Sequence, residues 1–372
     1  MKKWHGCLFL SLVFLVGCNK DDYVPGQGSE GAESLAPKVE GRRVGAYVTY
    51  YGYSIPDPAF FTHLFYAFAE LYIDKGQYKG FKVEGTEARF SQIAALKEKH
   101  PDLKISISFC NNIENADNSQ GGGFSVLAKS DEYRKAFALD CRTFLQKWNI
   151  DGVDLDWEFP GLSWSADGIF DPAEDVANHV LLMKQLRETL GNRYLLSYAG
   201  YCKDKEAISG GSRYIDIAAV DPYVDFVNIM TYDMDEAPRH QSALTDSRAY
   251  WDCQRAVSAY LQAGIAANKL ILGIPFYGRH SFSLSPRSIN YKDILDLDTR
   301  YYRIDNWDQT ASAPYVTYNG QFYCGYDNAR SIAIKGEWVL KQGMKGMMYW
   351  DYDGDDNVST LRKAVWEAVM KQ

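Results

Sequence analysis

The chain has 372 residues, 46% of them hydrophobic, which is enough to bury one large α/β barrel or two modest domains. A formal charge of −8 with no basic run argues against a nucleic-acid-binding surface. Aromatic residues reach 15%, with 27 Tyr and 9 Trp, more than a core alone requires and suited to a ring-stacking cleft.

Lys2 and Lys3 precede an apolar run from Leu8 to Val16, which is signal-peptide-like and short for a membrane span. Its end, Leu15-Val16-Gly17-Cys18, resembles a bacterial lipobox. That resemblance implies a signal peptide over 1–17, lipidation at Cys18 and a membrane-anchored protein; a plain secretory signal is the alternative. The following Asn19-Lys20-Asp21-Asp22 resembles the surface-export tag of Bacteroidetes lipoproteins, which implies the outer membrane and the cell surface. Residues 18–41 are rich in Gly, Ser, Glu and Pro and read as a flexible tether.

From residue 42 to 372 the pattern is that of one domain. Apolar runs predict strands over 43–50, 61–69, 103–109, 150–157, 194–199, 224–231, 269–276 and 345–350. Helical spacing appears between them: Phe90, Ile93 and Ala94; Tyr133, Phe137, Cys141, Phe144 and Trp148; Val180, Leu181 and Leu190; Val257, Tyr260 and Leu261. Eight strands alternating with helices imply an α/β fold, a (β/α)8 TIM barrel. The Tyr-, Asp- and Ser-rich stretch 280–325 breaks the rhythm and reads as a short insertion between strands seven and eight. Five cysteines remain beyond Cys7 and Cys18, widely spaced and without a C-x-x-C pair, and the histidines are scattered. No disulfide framework, metal site or cofactor is expected.

Residues 151–161 read Asp-Gly-Val-Asp-Leu-Asp-Trp-Glu-Phe-Pro-Gly. Asp154, Asp156 and Glu158 alternate along an apolar strand, so three carboxyl groups share one face. Like charges so close raise each other's pKa, which keeps a proton available for general acid catalysis near neutral pH. A solvated acidic edge would not be flanked by Val153, Leu155, Trp157 and Phe159, and a Ca²⁺ loop wants oxygen ligands in a Gly-punctuated turn. Asp151 breaks the alternation, and a structural role fits it better.

This stretch resembles the D-G-x-D-x-D-W-E signature of family 18 glycoside hydrolases, the chitinase family. Met230-Thr231-Tyr232-Asp233, Gly273 to Arg279 and Met347 to Asp351 resemble the family's motifs at strands six, seven and eight. The resemblance implies Glu158, Asp156, Asp154 and Tyr232 as catalytic residues. It implies Asp233, Met230, Trp350, Tyr277, Arg279 and Trp157 as substrate contacts. The partner implied is a polysaccharide or oligosaccharide containing N-acetylglucosamine (GlcNAc), cut in chitin-type β-1,4 chains with retention and help from the substrate's own acetamido group. Two alternatives are an endo-β-N-acetylglucosaminidase on the core of N-glycans and a non-catalytic glycan-binding protein. A monomer is expected. Two departures from the family pattern stand out: Ser108-Phe109-Cys110-Asn111 in place of S-x-G-G, and Met234-Asp235-Glu236 after Asp233.

Overall fold

The computed structural model describes residues 35–114, 123–162, 170–202, 214–246 and 248–371, without the side chains of 111–114. The signal peptide, Cys18 and the tether up to residue 34 lie outside the described residues. Residues 36–372 form one compact unit.

In chain order the described strands are β1 (Arg43–Thr49), β2 (His63–Asp74), β3 (Gln77–Val83), β4 (Lys104–Glu114), β5 (Gly152–Asp156), β6 (Leu195–Gly200) and β7 (Phe226–Ile229). They continue with β8 (Leu270–Pro275), β9 (Tyr277–Arg279), β10 (Ser288–Asn290), β11 (Tyr302–Asp308), β12 (Ala313–Tyr318), β13 (Gln321–Gly325) and β14 (Gly346–Trp350). The α-helices are α1 (Glu87–Ala94), α2 (Leu96–Lys99), α3 (Gly123–Lys129), α4 (Asp131–Trp148), α5 (Asp175–Leu190) and α6 (Ile217–Val220). After these come α7 (Cys253–Gln262), α8 (Tyr291–Leu295), α9 (Ala329–Lys341) and α10 (Thr360–Met370). Strands β1, β2, β4, β5, β6, β7, β8 and β14 pair in parallel, and β14 returns to β1. This is the closed eight-stranded barrel that the alternation of strands and helices implies, and all eight expected strands belong to it.

The barrel has two faces with different chemistry. Outward side chains such as Val153, Leu155, Ile105 and Ile107 pack under Phe137, Cys141, Leu145, Leu182 and Leu186 of the surrounding helices, all buried. Each such side chain contributes about 1.5–3 kcal/mol by leaving water. Inward side chains are partly polar: Ser108, Asp154 and Ser197 lie in one register layer across β4, β5 and β6. Gly152 lets these strands approach, because a Cβ there would meet Ser106 Oγ and Leu195 Cβ, each at 2.7 Å. Asp151 faces elsewhere, as its broken alternation suggests: it accepts from the Ile105 amide at 2.9 Å and pairs with Lys97 and Lys104.

Three details differ from expectation. β2 runs on past residue 69 and turns at Lys75-Gly76 into an antiparallel hairpin with β3, since Leu71 and Ile73 keep burying alternate side chains. The buried face of α5 is Val176, His179, Leu182, Met183, Leu186 and Leu190, so Leu181 is exposed and only Leu190 of the expected trio lies in the core. The insertion starts three residues before 280, because β9 joins β10–β13 in a five-stranded antiparallel sheet.

One buried ion pair fixes the chain that leaves that insertion against the loop after β7. Lys335 of α9 lies 2.8 Å from Asp327 and donates to Ser242 Oγ at 2.8 Å, with both charged side chains fully inaccessible. Removing one partner strands an uncompensated charge. Lys335→Met should therefore lower stability by about 3–5 kcal/mol, read as a fall in the urea midpoint. A loss below about 1 kcal/mol would mean that Asp327 finds a substitute partner or a proton.

Candidate active site

The site begins with a carboxylate placed where water cannot reach it. Asp154 points into the barrel and is fully buried. Its Oδ2 accepts from Tyr47 at 2.9 Å and Ser108 at 2.8 Å; its Oδ1 accepts from Ser197 at 2.6 Å and Asn228 at 3.4 Å. Asn228 also donates to the Tyr47 hydroxyl at 3.1 Å. Burial raises the Asp154 pKa above the ordinary value, and the four donors oppose that rise.

Two residues on, Asp156 is buried and Glu158 reaches the solvent of the barrel mouth. Burial pushes the Asp156 pKa well up, reinforced by Glu158 and then Asp154. The two carboxyl groups hydrogen-bond each other, with Asp156 as donor. Glu158 is pushed up to about 7, first by loss of hydration among the surrounding protein atoms and then by the charge of Asp233. The pair thus retains a proton into the neutral range and behaves as one titrating unit. Asp156 Oδ1 is buried and, among the described residues, meets no hydrogen-bond donor from the protein. An orphaned buried acceptor of this kind costs roughly 1–3 kcal/mol and invites an N–H from outside.

The neighbouring strands supply the walls. Tyr232 is buried beyond the end of β7, and burial, then Asp156 and Glu158, keep its phenol protonated well above neutrality. Asp233 adopts φ +53°, a conformation Asp tolerates better than most residues. It receives a fork from Arg279, Nε at 2.8 Å and Nη2 at 2.6 Å. Tyr277, buried, also hydrogen-bonds Asp233, and its ring centroid lies 6.3 Å from that of Tyr232. Met230 is half-buried against this group. Trp350 ends β14, stacked on Phe68 with centroids 5.5 Å apart and tilted against Tyr47 at 5.7 Å.

Asp154, Asp156, Glu158, Tyr232, Asp233, Tyr277, Met230 and Trp350 therefore converge on one end of the barrel. Two residues are placed differently from expectation. Trp157 is 5% exposed and stacks on Phe124 of α3 at 5.3 Å, with its edge toward His179 of α5. The alternation that turns Asp156 and Glu158 inward turns Trp157 out into the helix layer, so it makes no cleft wall. Arg279 stands behind Asp233, with two guanidinium nitrogens already committed to it.

The departures also acquire a location. Ser108 is a donor to Asp154, and Cys110 sits in register with Asp156 on the inward side of β4. The Asn111 side chain lies outside the described residues. Asp235 pairs with Arg239, and Glu236 accepts from Ser281 Oγ at 2.8 Å and from the Phe282 amide. The Asp235 charge is thus paired within its own loop, and that of Glu236 fastens the insertion. Sequence reasoning missed Tyr47, Ser197, Asn228 and Gln241. Gln241 is fully buried; its Oε1 accepts from the Asp233 amide at 3.4 Å and its Nε2 donates to the Tyr277 carbonyl at 2.7 Å. A signal for Tyr47, Ser197 and Asn228 existed: each is a polar residue in an otherwise apolar strand.

The model of the family "Glycosyl hydrolases family 18" matches residues 43–355. The chain is 30% identical over 317 residues to Chitinase A1 of Niallia circulans, an alignment that takes in 73% of this chain and 44% of that protein. Its fold superposes on the cell-surface-expressed multi-modular chitinase ChiW of Paenibacillus sp. strain FPU-7 with a TM-score of 0.73 and 28% identity, over 89% of this chain and 43% of that one. A family 18 N-acetylglucosaminidase of Paenibacillus barengoltzii gives a TM-score of 0.72 and 26% identity, over 88% and 99% of the respective chains. The chain thus spans less than half the length of the first two relatives.

The charge arrangement is testable without any assay of turnover. A ¹³C NMR titration should place the Glu158 carboxyl near 7. Asp233→Asn removes a like charge and frees Arg279, and both changes favour the carboxylate, so the Glu158 pKa should fall. A value near that of an ordinary glutamate in the parent, or no fall in the variant, would contradict this account.

Proposed function

The chain belongs to glycosyl hydrolase family 18, and we propose that it hydrolyses β-1,4-linked GlcNAc chains with retention, through the substrate's own acetamido group. One observation supports this reading above the others. A buried acceptor, Asp156 Oδ1, meets no protein donor among the described residues and stands beside an acid, Glu158, poised near 7. An acetamido N–H is a donor of the right kind for that vacancy.

The geometry of the carboxyl pair and Tyr232 supports the following steps. Glu158 gives its proton to the glycosidic oxygen as the bond to the anomeric carbon breaks. The acetamido carbonyl oxygen bonds to that carbon, giving an oxazolinium ion whose N–H faces Asp156. The proton that Glu158 delivers is the one it shares with Asp156, so Asp156 is left a carboxylate that orients the amide and balances the positive charge. Tyr232, held neutral, donates to the acetamido oxygen. Water then adds with Glu158 as base, and the configuration is kept. Asp233 is an unsuitable nucleophile, because the Arg279 fork already holds it.

Loss of the acid typically costs at least about 10²-fold in turnover, so Glu158→Gln should bind oligosaccharide and fail to cleave it. Asp156→Asn should be crippled as well. Mass spectrometry of parallel digests of chitopentaose and an N-glycosylated protein fixes the substrate. The expected result is GlcNAc₂ and GlcNAc₃ from the pentamer by the parent and none by Glu158→Gln. Glycan release that leaves one GlcNAc on the protein, with the pentamer untouched, would overturn the chitin-type reading. Activity retained in Glu158→Gln would overturn the assignment of the acid.

A further inference from the structure

The chemistry above sits where the barrel strands end; the opposite end, where they begin, carries the reverse charge. The segments leading into the strands are 36–43, 97–104, 147–151, 191–194, 221–225, 264–269 and 341–345, with Lys371 beside them. Together they hold twelve Lys and Arg against six Asp and Glu, with Glu337 and Glu367 alongside, in a chain whose formal charge is −8. Four of those acids are already held: Asp102 by Lys38, Asp151 by Lys97 and Lys104, Asp221 by Lys269, and Asp225 by Arg187. Lys99, Lys147, Arg193, Lys341 and Lys345 are exposed and, among the described residues, form no ion pair with a carboxylate. A cavity of about 170 Å³ opens on this end between Lys97, Asn149, Asp151, Arg193 and Tyr194.

The chain before β1 joins the barrel at this same end. The Ala36 amide donates to Glu367 at 3.0 Å, Trp366 Nε1 donates to the Ala36 carbonyl at 2.8 Å, and Arg42 donates to the Val369 carbonyl at 2.6 Å. The covalent lead-in is thus fastened beside the C-terminus of α10. The described chain, and with it the covalent link to Cys18 of the lipobox, enters the domain at this end.

We propose that the strand-entry end of the barrel docks on a surface of anionic lipid headgroups, leaving the carboxylate-lined mouth facing away. The charges decide the orientation. A negative surface attracts the excess cations of the base, whereas the far end presents the carboxyl groups of Glu158 and Asp233 to solvent. Screening over about 8 Å at physiological salt confines the attraction to the cations nearest the surface. Lysines near an anionic leaflet gain enough from it to hold a protein in place when a second anchor is present.

The test compares three full-length proteins, all carrying Cys18→Ala so that no acyl chain contributes. One has no other change. The second carries Lys99→Glu, Lys341→Glu and Lys345→Glu. The third carries Lys79→Glu, Arg300→Glu and Arg303→Glu, an equal change of net charge placed away from this end. Co-sedimentation gives each a ratio: partitioning onto vesicles of phosphatidylcholine with phosphatidylglycerol, divided by partitioning onto phosphatidylcholine alone. The ratio cancels any contribution of the apolar N-terminus. The first and third proteins should show a ratio of at least about tenfold at low salt that collapses at high salt, and the second a ratio near one. A ratio near one in the first protein, or equal ratios in the second and third, would overturn the proposal. Thermal melts of all three confirm that the folded state is compared.

Discussion

The rest of the site depends on a carboxylate buried inside a barrel. Removing Asp154 from water is tolerable because four donors from four strands meet it: Tyr47 of β1, Ser108 of β4, Ser197 of β6 and Asn228 of β7. Those donors also fix where β5 sits, and hence where Asp156 and Glu158 emerge. Burial first, then its neighbours Glu158 and Asp154, keep a proton on the next carboxyl outward, which passes it by hydrogen bond to the one at the mouth. A ladder of acids in decreasing burial thus becomes a proton source near neutrality. Asp233 raises the outermost acid further, while Arg279 prevents that aspartate from acting on its own account.

Much of this was legible in the residues. Buried parallel strands read as apolar runs, and all eight could be placed from composition alone. Period-two spacing put Asp154, Asp156 and Glu158 on one face, and the same spacing put Trp157 on the other; the family resemblance was given more weight than the spacing there, and the structure follows the spacing. The α5 face was read from Val180 and Leu181, although His179 and Leu182 are the buried neighbours, because a histidine in an apolar layer carries no hydrophobic signal.

What stayed hidden is mostly long-range. Tyr47 and Asp154 are 107 residues apart, Asp233 and Arg279 are 46 apart, and nothing local announces either contact. Gln241 sits in a loop and becomes meaningful only when β9 brings Tyr277 beside it. The insertion is similar: its strands are short and Tyr-rich, and its attachment rests on Lys335, Asp327 and the Glu236 turn, which are distant in sequence. Within the Met234-Asp235-Glu236 departure it is Glu236 that fastens the insertion, through Ser281 and Phe282.

The central claim is that the acceptor left open on Asp156 receives an acetamido N–H and that the acetamido oxygen is the nucleophile. Its most direct test is the rate of cleavage of aryl chitobiosides whose reacting N-acyl group carries zero, one, two or three fluorines. Fluorine weakens the carbonyl oxygen as a nucleophile and leaves its size nearly unchanged. The account predicts a steep, monotonic fall in kcat/KM along the series. A flat series would contradict it and require a nucleophile from the protein.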